Sequence, residues 1–320
     1  MKTVKQNVHY HVGNETETDM YSEVLDGLKK SAKSVSPKYF YDKRGSELFE
    51  EITMLNEYYP TRTELLILNE YKYEMAKVVG SNSALIEFGS GSSEKVRTLL
   101  GAMNGLQEYV AIDISKDFLY QSARALSMEY PNLQVHAVSA DYTEKFTMPQ
   151  LQSERKVVFF PGSTIGNFER DEMITFLSKT AQFLKPGGGM FIGVDLKKDP
   201  TLLNAAYNDK KRITNKFNLN LLNRFNRELL ADFKLEHFRH HAFYNQEKGR
   251  VEMHLVSLKN QRITIGNEKI AFKEGETIHT ENSHKFTIEE FQDIARNCGF
   301  IPRNVWCDEK EWFSIHYLEV

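Results

Sequence analysis

Gly89 and Gly91 follow an apolar run in ALIEFGSGSSEK (84 to 95), Asp113 closes a second run, YVAID, and Asp141 stands in SADY just past a third, LQVHAV. Residues of these types at successive strand ends suit one kind of chemistry. Glycines let a ligand approach the backbone, one acid takes two ribose hydroxyls, and the next holds the amine of an adenine while Tyr142 packs on the ring. A nicotinamide fingerprint, G-x-G-x-x-G, needs a third glycine where this chain has Glu94, and the G-K-[ST] ending of a phosphate loop is missing too. No pyrophosphate is required, and the order of glycine turn, ribose acid and adenine acid describes S-adenosylmethionine. Each piece alone has a plainer reading as a turn or a helix cap. Their recurrence along one series of strands favours the cofactor.

The elements that must position these residues are legible in outline. ALIEF (84–88), YVAID (109–113), LQVHAV (133–138), KVVFF (156–160) and MFIGVD (190–195) are continuously apolar, as expected of parallel strands buried on both faces. EKVRTLLGAM, KDFLYQSARALSMEY and RDEMITFLSKTAQFL between them have helical spacing, the last stopped by KPGGG. TIEEFQDIARNCGF then predicts a helix ending at Gly299, followed by RNVWCDEK and WFSIHYLEV as a closing hairpin. The expected fold is α/β, a doubly wound class I methyltransferase sheet of five parallel strands finished by an antiparallel hairpin. After Asp195 the chain turns helical and polar, then offers RVEMHLVSLK, QRITIG and KIAFKEGETIHTE as antiparallel strands. We assign 61–196 and 285–320 to the cofactor-binding domain, and 1–60 and 197–284 to an α+β substrate-binding domain.

With 41 Lys+Arg against 44 Asp+Glu in 320 residues, the net charge of -3 gives no field favouring nucleic acid or an anionic membrane. Cys298 and Cys307 are too few for a disulfide framework and lack metal-ligand spacing. Neither a signal-like start nor an apolar run of about 18 residues occurs. A cytoplasmic, metal-free monomer acting on a small molecule is the expectation.

Longer motifs sharpen this. YFYDKRGSELFEEITMLNEYYPTRTE (39–64), EFGSGSSEK, FFPGSTIGNF (159–168), AAYND (205–209), FNLNLLNRFNREL (217–229), RVEMHLVS (250–257) and GETIHTENSHKF (275–286) together resemble the L-histidine Nα-methyltransferases of ergothioneine biosynthesis. The resemblance runs from about residue 20 to the end. It implies transfer of three methyl groups from S-adenosylmethionine to the α-amino nitrogen of L-histidine, giving hercynine.

Position by position, the resemblance implies that Tyr58, Asn167 and Tyr207 hold the substrate's carboxylate and amine and that the Gly162 carbonyl lines the amine. Met253 would border the imidazole, with Glu281 and Ser283 bonded to its nitrogens. Tyr41 and Lys95 would join Gly89, Gly91, Asp113, Asp141 and Tyr142 on the cofactor side. Elementary chemistry agrees with this assignment. Tyrosine and asparagine suit a carboxylate, and an acid with a serine suits a ring having two nitrogens, whereas an indole would leave one of the pair unmatched. Methyl transfer from a sulfonium is an in-line displacement, so Tyr58, Gly162 and Asn167 would act by orienting a neutral amine rather than as a general base. The alternatives are N-methylation of another aromatic amino acid such as a tryptophan derivative, whose ergot-alkaloid enzymes share these motifs, or a non-catalytic sensor of S-adenosylmethionine.

Overall fold

The computed structural model describes residues 7–13, 19–91 and 93–320. The chain divides into two compact units. The first takes in Pro60–Leu196 and Phe286–Val320 together with the N-terminal strand, and the second takes in the segment up to Tyr59 and Lys197–Lys285.

An eight-stranded sheet organises the first unit. It contains β1 (Val8–Val12), β3 (Ser83–Phe88), β4 (Glu108–Asp113), β5 (Gln134–Ser139), β6 (Arg155–Phe160), β7 (Gly189–Asp195), β13 (Ile301–Cys307) and β14 (Phe313–Glu319). Their order is β1-β5-β4-β3-β6-β7-β14-β13. Strands β1 to β7 of this sheet run parallel, while β14 lies antiparallel to β7 and to β13. Both faces are buried, which is why the strands read as unbroken apolar runs. Leu85, Ala111, Val135, Phe159 and Phe191 meet α3 (Tyr59–Val79), α4 (Glu94–Leu100) and α5 (Lys116–Glu129), while Ile86, Val110, Val158, Phe160 and Ile192 meet α6 (Arg170–Leu184) and α9 (Ile288–Asn297). Helices α6 and α9 each start in a reciprocal capping box, Glu169 with Glu172 and Thr287 with Glu290. The chain moves outward from β3 to β4 and β5, then returns to the other side of β3 for β6 and β7. That reversal puts a topological switch point between β3 and β6, where open α/β sheets bind ligands.

Two expectations change. The parallel part of the sheet has six strands rather than five, because β1 pairs with β5 and takes residues out of the 1–60 block assigned to the second domain. An edge strand with one sparsely buried face carries no continuous apolar signal, and Tyr10 and Val12 are indeed exposed. Lys285 groups with the second unit and Pro60 with the first, each against the expected boundary.

In the second unit, α1 (Met20–Lys29), α2 (Lys43–Thr53), α7 (Pro200–Tyr207) and α8 (Ile213–Glu228) accompany two small sheets. One has the order β2-β12-β9-β8, from Lys33–Ser34, Thr277–His284, Arg250–Ser257 and Phe238–Asn245; the other pairs β10 (Gln261–Ile265) with β11 (Glu268–Phe272). Strand β8, FRHHAFYN, has too many polar residues to be recognised from hydrophobicity. Helix α8 packs against α2 and, through a stacked Phe40–Phe217 pair with centroids 4.5 Å apart, against the 3₁₀ turn Pro37–Phe40 that precedes α2. No helix among the described residues is long and apolar enough to cross a membrane.

Asn7 fixes the edge strand, its amide donating to the carbonyls of Tyr130 (3.0 Å) and Leu133 (2.5 Å) while its own carbonyl accepts from Val135. Asn7→Leu should lower the unfolding free energy by about 1–3 kcal/mol, because buried carbonyls lose their donor. Equilibrium urea denaturation would measure this, and an unchanged midpoint would refute it.

Candidate active site

At the carboxyl ends of the first unit's parallel strands the backbone is bent where sequence reasoning places ligand contacts. Gly89 and Gly91 follow β3 with φ of +69° and +46°, and Gly162 follows β6 at +80°. Ser93 and Ser163 share the left-handed region at +57° and +56°, a conformation that costs a serine energy and tends to mark functional loops. The Asp113 carboxylate accepts from Gly91 N–H (3.0 Å) and Ser115 N–H (2.8 Å), joining the glycine turn to the start of α5. The Ser115 side chain and the Ile114 backbone also act on it. Burial pushes the Asp113 pKa up, against these hydrogen bonds. Tyr142 stacks on Phe88 with centroids 5.6 Å apart and an interplanar angle of 12°, and it lies so close to the turn that a Cβ on Gly89 would stand 3.7 Å from its ring. Asp141 turns one oxygen to the Thr143 N–H (2.9 Å) and hydroxyl (2.5 Å). Asn167 ends the 3₁₀ turn Thr164–Asn167, and among the described residues its amide has no hydrogen-bond partner.

Lys95 leads to residues that sequence reasoning did not single out. Its ammonium lies 2.7 Å from Glu64, which is fully buried and accepts the Gly162 N–H with both oxygens at 2.9 Å. A Cβ on Gly193 of β7 would fall 2.2 Å from that carboxylate, so glycine is required there for Glu64 to fit. Glu87 is the only acid within the buried run of β3, and Tyr109 donates to it. Burial pushes its pKa up to about 8 against the opposing effects of Tyr109 and Lys95. The available signal was a glutamate inside an apolar strand and a glycine in MFIGVD, a combination that marks an internal ion pair as readily as a ligand contact.

Tyr41, Tyr58, Tyr207, Met253, Glu281 and Ser283 all belong to the second unit. Met253 on β9 stands opposite Glu281 on β12, and Ser283 stands opposite Val251, so these side chains share one face of the sheet. A β-bulge between His279 and Glu281 makes this possible. Had the ladder continued regularly from the pairing of His279 with His254, Thr280 would face Met253 and Glu281 would stand opposite Glu252, on the other face. The Thr280 hydroxyl lies 3.1 Å from the Met253 carbonyl and 2.9 Å from the Asn218 amide oxygen, tying the bulge to α8. Tyr207 ends α7 and packs edge-on to Tyr58 at 6.4 Å. Tyr41 packs edge-on to Phe49 and Phe217 in the same unit.

Glu281 keeps part of its surface accessible, yet among the described residues no group hydrogen-bonds its carboxyl. Desolvation raises its pKa to about 8, with the Lys285 charge working against the shift. A deeply set acid without a protein partner is suited to a ligand's N–H.

On the opposite face, Glu252, His254 and His279 bring three potential metal-ligand atoms within 4.8 Å. The two imidazoles are stacked at 24°, His254 Nε2 lies 3.2 Å from Glu252, and Glu252 pairs with Arg250 at 2.9 Å. These contacts tie β9 to β12 on that face.

A family model described as "Histidine-specific methyltransferase, SAM-dependent" matches residues 20–320. The histidine N-alpha-methyltransferase of Mycobacterium tuberculosis is 37% identical over 98% of each chain, and that of Mycolicibacterium smegmatis is 38% identical over 92% of each. Ergothioneine biosynthesis protein 1 of Neurospora crassa is 31% identical over 87% of this chain, which spans 32% of that longer protein.

The Glu281 environment generates a pH prediction. A carboxyl whose folded pKa is raised from its ordinary 4.5 to about 8 binds its proton more tightly when folded. Its contribution to stability is therefore full below about pH 4.5 and is lost as pH rises toward 8. Glu281→Gln should gain stability relative to wild type across that window, and urea denaturation at several pH values would detect it. A pH-independent difference would contradict the environment described.

Proposed function

Because the chain belongs to the histidine-specific, S-adenosylmethionine-dependent methyltransferase family, we propose that it methylates the α-amino nitrogen of L-histidine three times, giving hercynine for ergothioneine biosynthesis. The observation that carries the substrate reading is the Glu281 carboxyl, hydrogen-bonded by no group among the described residues, with Ser283 beside it on one sheet face. An imidazole answers both groups. An indole, with one donor and no acceptor, answers only one.

The residues fit the cofactor. Gly89 and Gly91 open the backbone, Asp113 is a partly accessible carboxylate at the strand end suited to a ribose diol, and Tyr142 closes over the turn. Lys95 and Asp141 complete that side, with Tyr41 assigned to it by resemblance. When bound, S-adenosylmethionine supplies an electrophilic methyl carbon on a sulfonium. The protein's part is then orientation. Asn167, whose amide has no hydrogen-bond partner among the described residues, and the carbonyl of Gly162 direct the amine lone pair, while Tyr58 and Tyr207 hold the carboxylate. Glu64 fixes Gly162 from behind through its N–H. No dedicated base is assigned, since the nearby sulfonium favours loss of the ammonium proton. A cytoplasmic setting is supported by the free thiols Cys298 and Cys307.

Mass spectrometry of L-histidine incubated with the protein and S-adenosylmethionine should show gains of one, two and three methyl groups. Methylation of tryptophan in its place, or of neither amino acid, would overturn the reading. Asn167→Ala should reduce kcat roughly ten- to a hundredfold at saturating histidine while leaving S-adenosylhomocysteine affinity nearly unchanged. Unchanged turnover would return Asn167 to the status of a turn residue.

A further inference from the structure

Lys285 is 2% exposed and follows Ser283 by two positions, so it continues the strip that begins with Glu281 and Ser283. Its ammonium donates to the Ser283 hydroxyl oxygen at 2.7 Å, stands 3.4 Å from the Tyr207 hydroxyl, and lies 5.3 Å from the centre of the Tyr207 ring. Burying a lysine is costly, and a surface-facing residue would have served the fold as well at a strand end. The shortest of these contacts is the one to the serine.

A serine hydroxyl has one proton and two lone pairs. Accepting from an ammonium occupies one lone pair, turns the hydroxyl proton away from Lys285 and places positive charge behind the oxygen. A second N–H aimed at that oxygen would meet this charge, whereas a bare ring nitrogen would meet the hydroxyl proton. The same ammonium opposes a cationic ring nearby and works against the rise in the Glu281 pKa.

We propose that Lys285 is a positioning residue which makes Ser283 a donor, so that the site selects neutral imidazole with one N–H toward Glu281 and one bare nitrogen toward Ser283. This rests on the reading of L-histidine as substrate. Lys285 thereby sets the tautomer and also disfavours imidazolium, the form that two acceptors would prefer.

The direct test is nitrogen NMR of ring-¹⁵N-labelled L-histidine bound to the wild-type protein with S-adenosylhomocysteine, at a pH of about 6 where free imidazole is substantially protonated. One pyrrole-type and one pyridine-type signal are expected. Two equivalent, imidazolium-type signals would overturn the inference while leaving histidine as the substrate, and absence of any bound signal would overturn both. The second arm is a double-mutant cycle by calorimetry. Lys285→Met should weaken histidine binding roughly tenfold in the wild-type background and much less in Ser283→Ala, because the lysine acts through the serine. Equal losses in both backgrounds, or coupling to Glu281→Gln in place of Ser283→Ala, would overturn it. β-(2-Thienyl)-L-alanine, whose ring has no nitrogen, should be nearly indifferent to Lys285→Met; an equal loss would indicate packing alone. Should Lys285→Met fail to fold, the wild-type spectrum still decides.

Discussion

A carboxylate with no access to water, Glu64, is the constraint around which the ligand-facing end of the first unit is arranged. Removing such a charge from solvent costs several kcal/mol unless partners replace the lost hydration. Here Lys95 supplies the opposite charge and Gly162 a backbone donor, while the missing side chain of Gly193 supplies the space. One ion pair therefore ties α3 to α4, to the loop after β6 and to the floor of β7. The turn carrying Gly162 is held by what lies beneath it, so its exposed side stays available to a ligand.

That arrangement leaves a second acid in want of compensation. Lys95 also acts on Glu87, but a single ammonium already paired at 2.7 Å with Glu64 does not neutralise two buried carboxylates. Glu87 instead holds its proton up to about pH 8 and accepts a hydrogen bond from Tyr109. Asp113, by contrast, sits at a strand end where backbone N–H groups of the glycine turn and of α5 reach it, and it combines partial accessibility with depth. Strand interior and strand end thus impose different solutions on similar side chains.

In the second unit, strand parity decides which side chains share a sheet face. His279, Glu281 and Ser283 are spaced by two, and a regular strand would place all three on one face. The bulge at Thr280 separates the first from the other two, sending His279 to the Glu252 and His254 side and turning Glu281 toward Met253. Asn218 makes this shift stable by receiving the Thr280 hydroxyl while donating to the His254 carbonyl and the His240 ring. A local insertion that would weaken an ordinary ladder is satisfied here by side chains of α8.

The sequence by itself determined the parallel sheet, its antiparallel closing hairpin and the glycine turn. Two-sided burial writes continuous apolar runs, and positive φ demands glycine at Gly89 and Gly91, both of which are short-range requirements. It also marked Asp113 and Asp141 by their positions at strand ends, and its long motifs indicated the family. Only the tertiary structure decided that VHYHV joins the sheet, since an edge strand with exposed Tyr10 and Val12 has no apolar signature. It alone paired Glu64 with Lys95 and set Lys285 against Ser283 and Tyr207. The face that Glu281 occupies was likewise undecidable from spacing, because one inserted residue reverses it. Periodicity reports how a segment is buried, whereas the partner of a buried charge and the register of a bulged strand depend on residues far away in the chain.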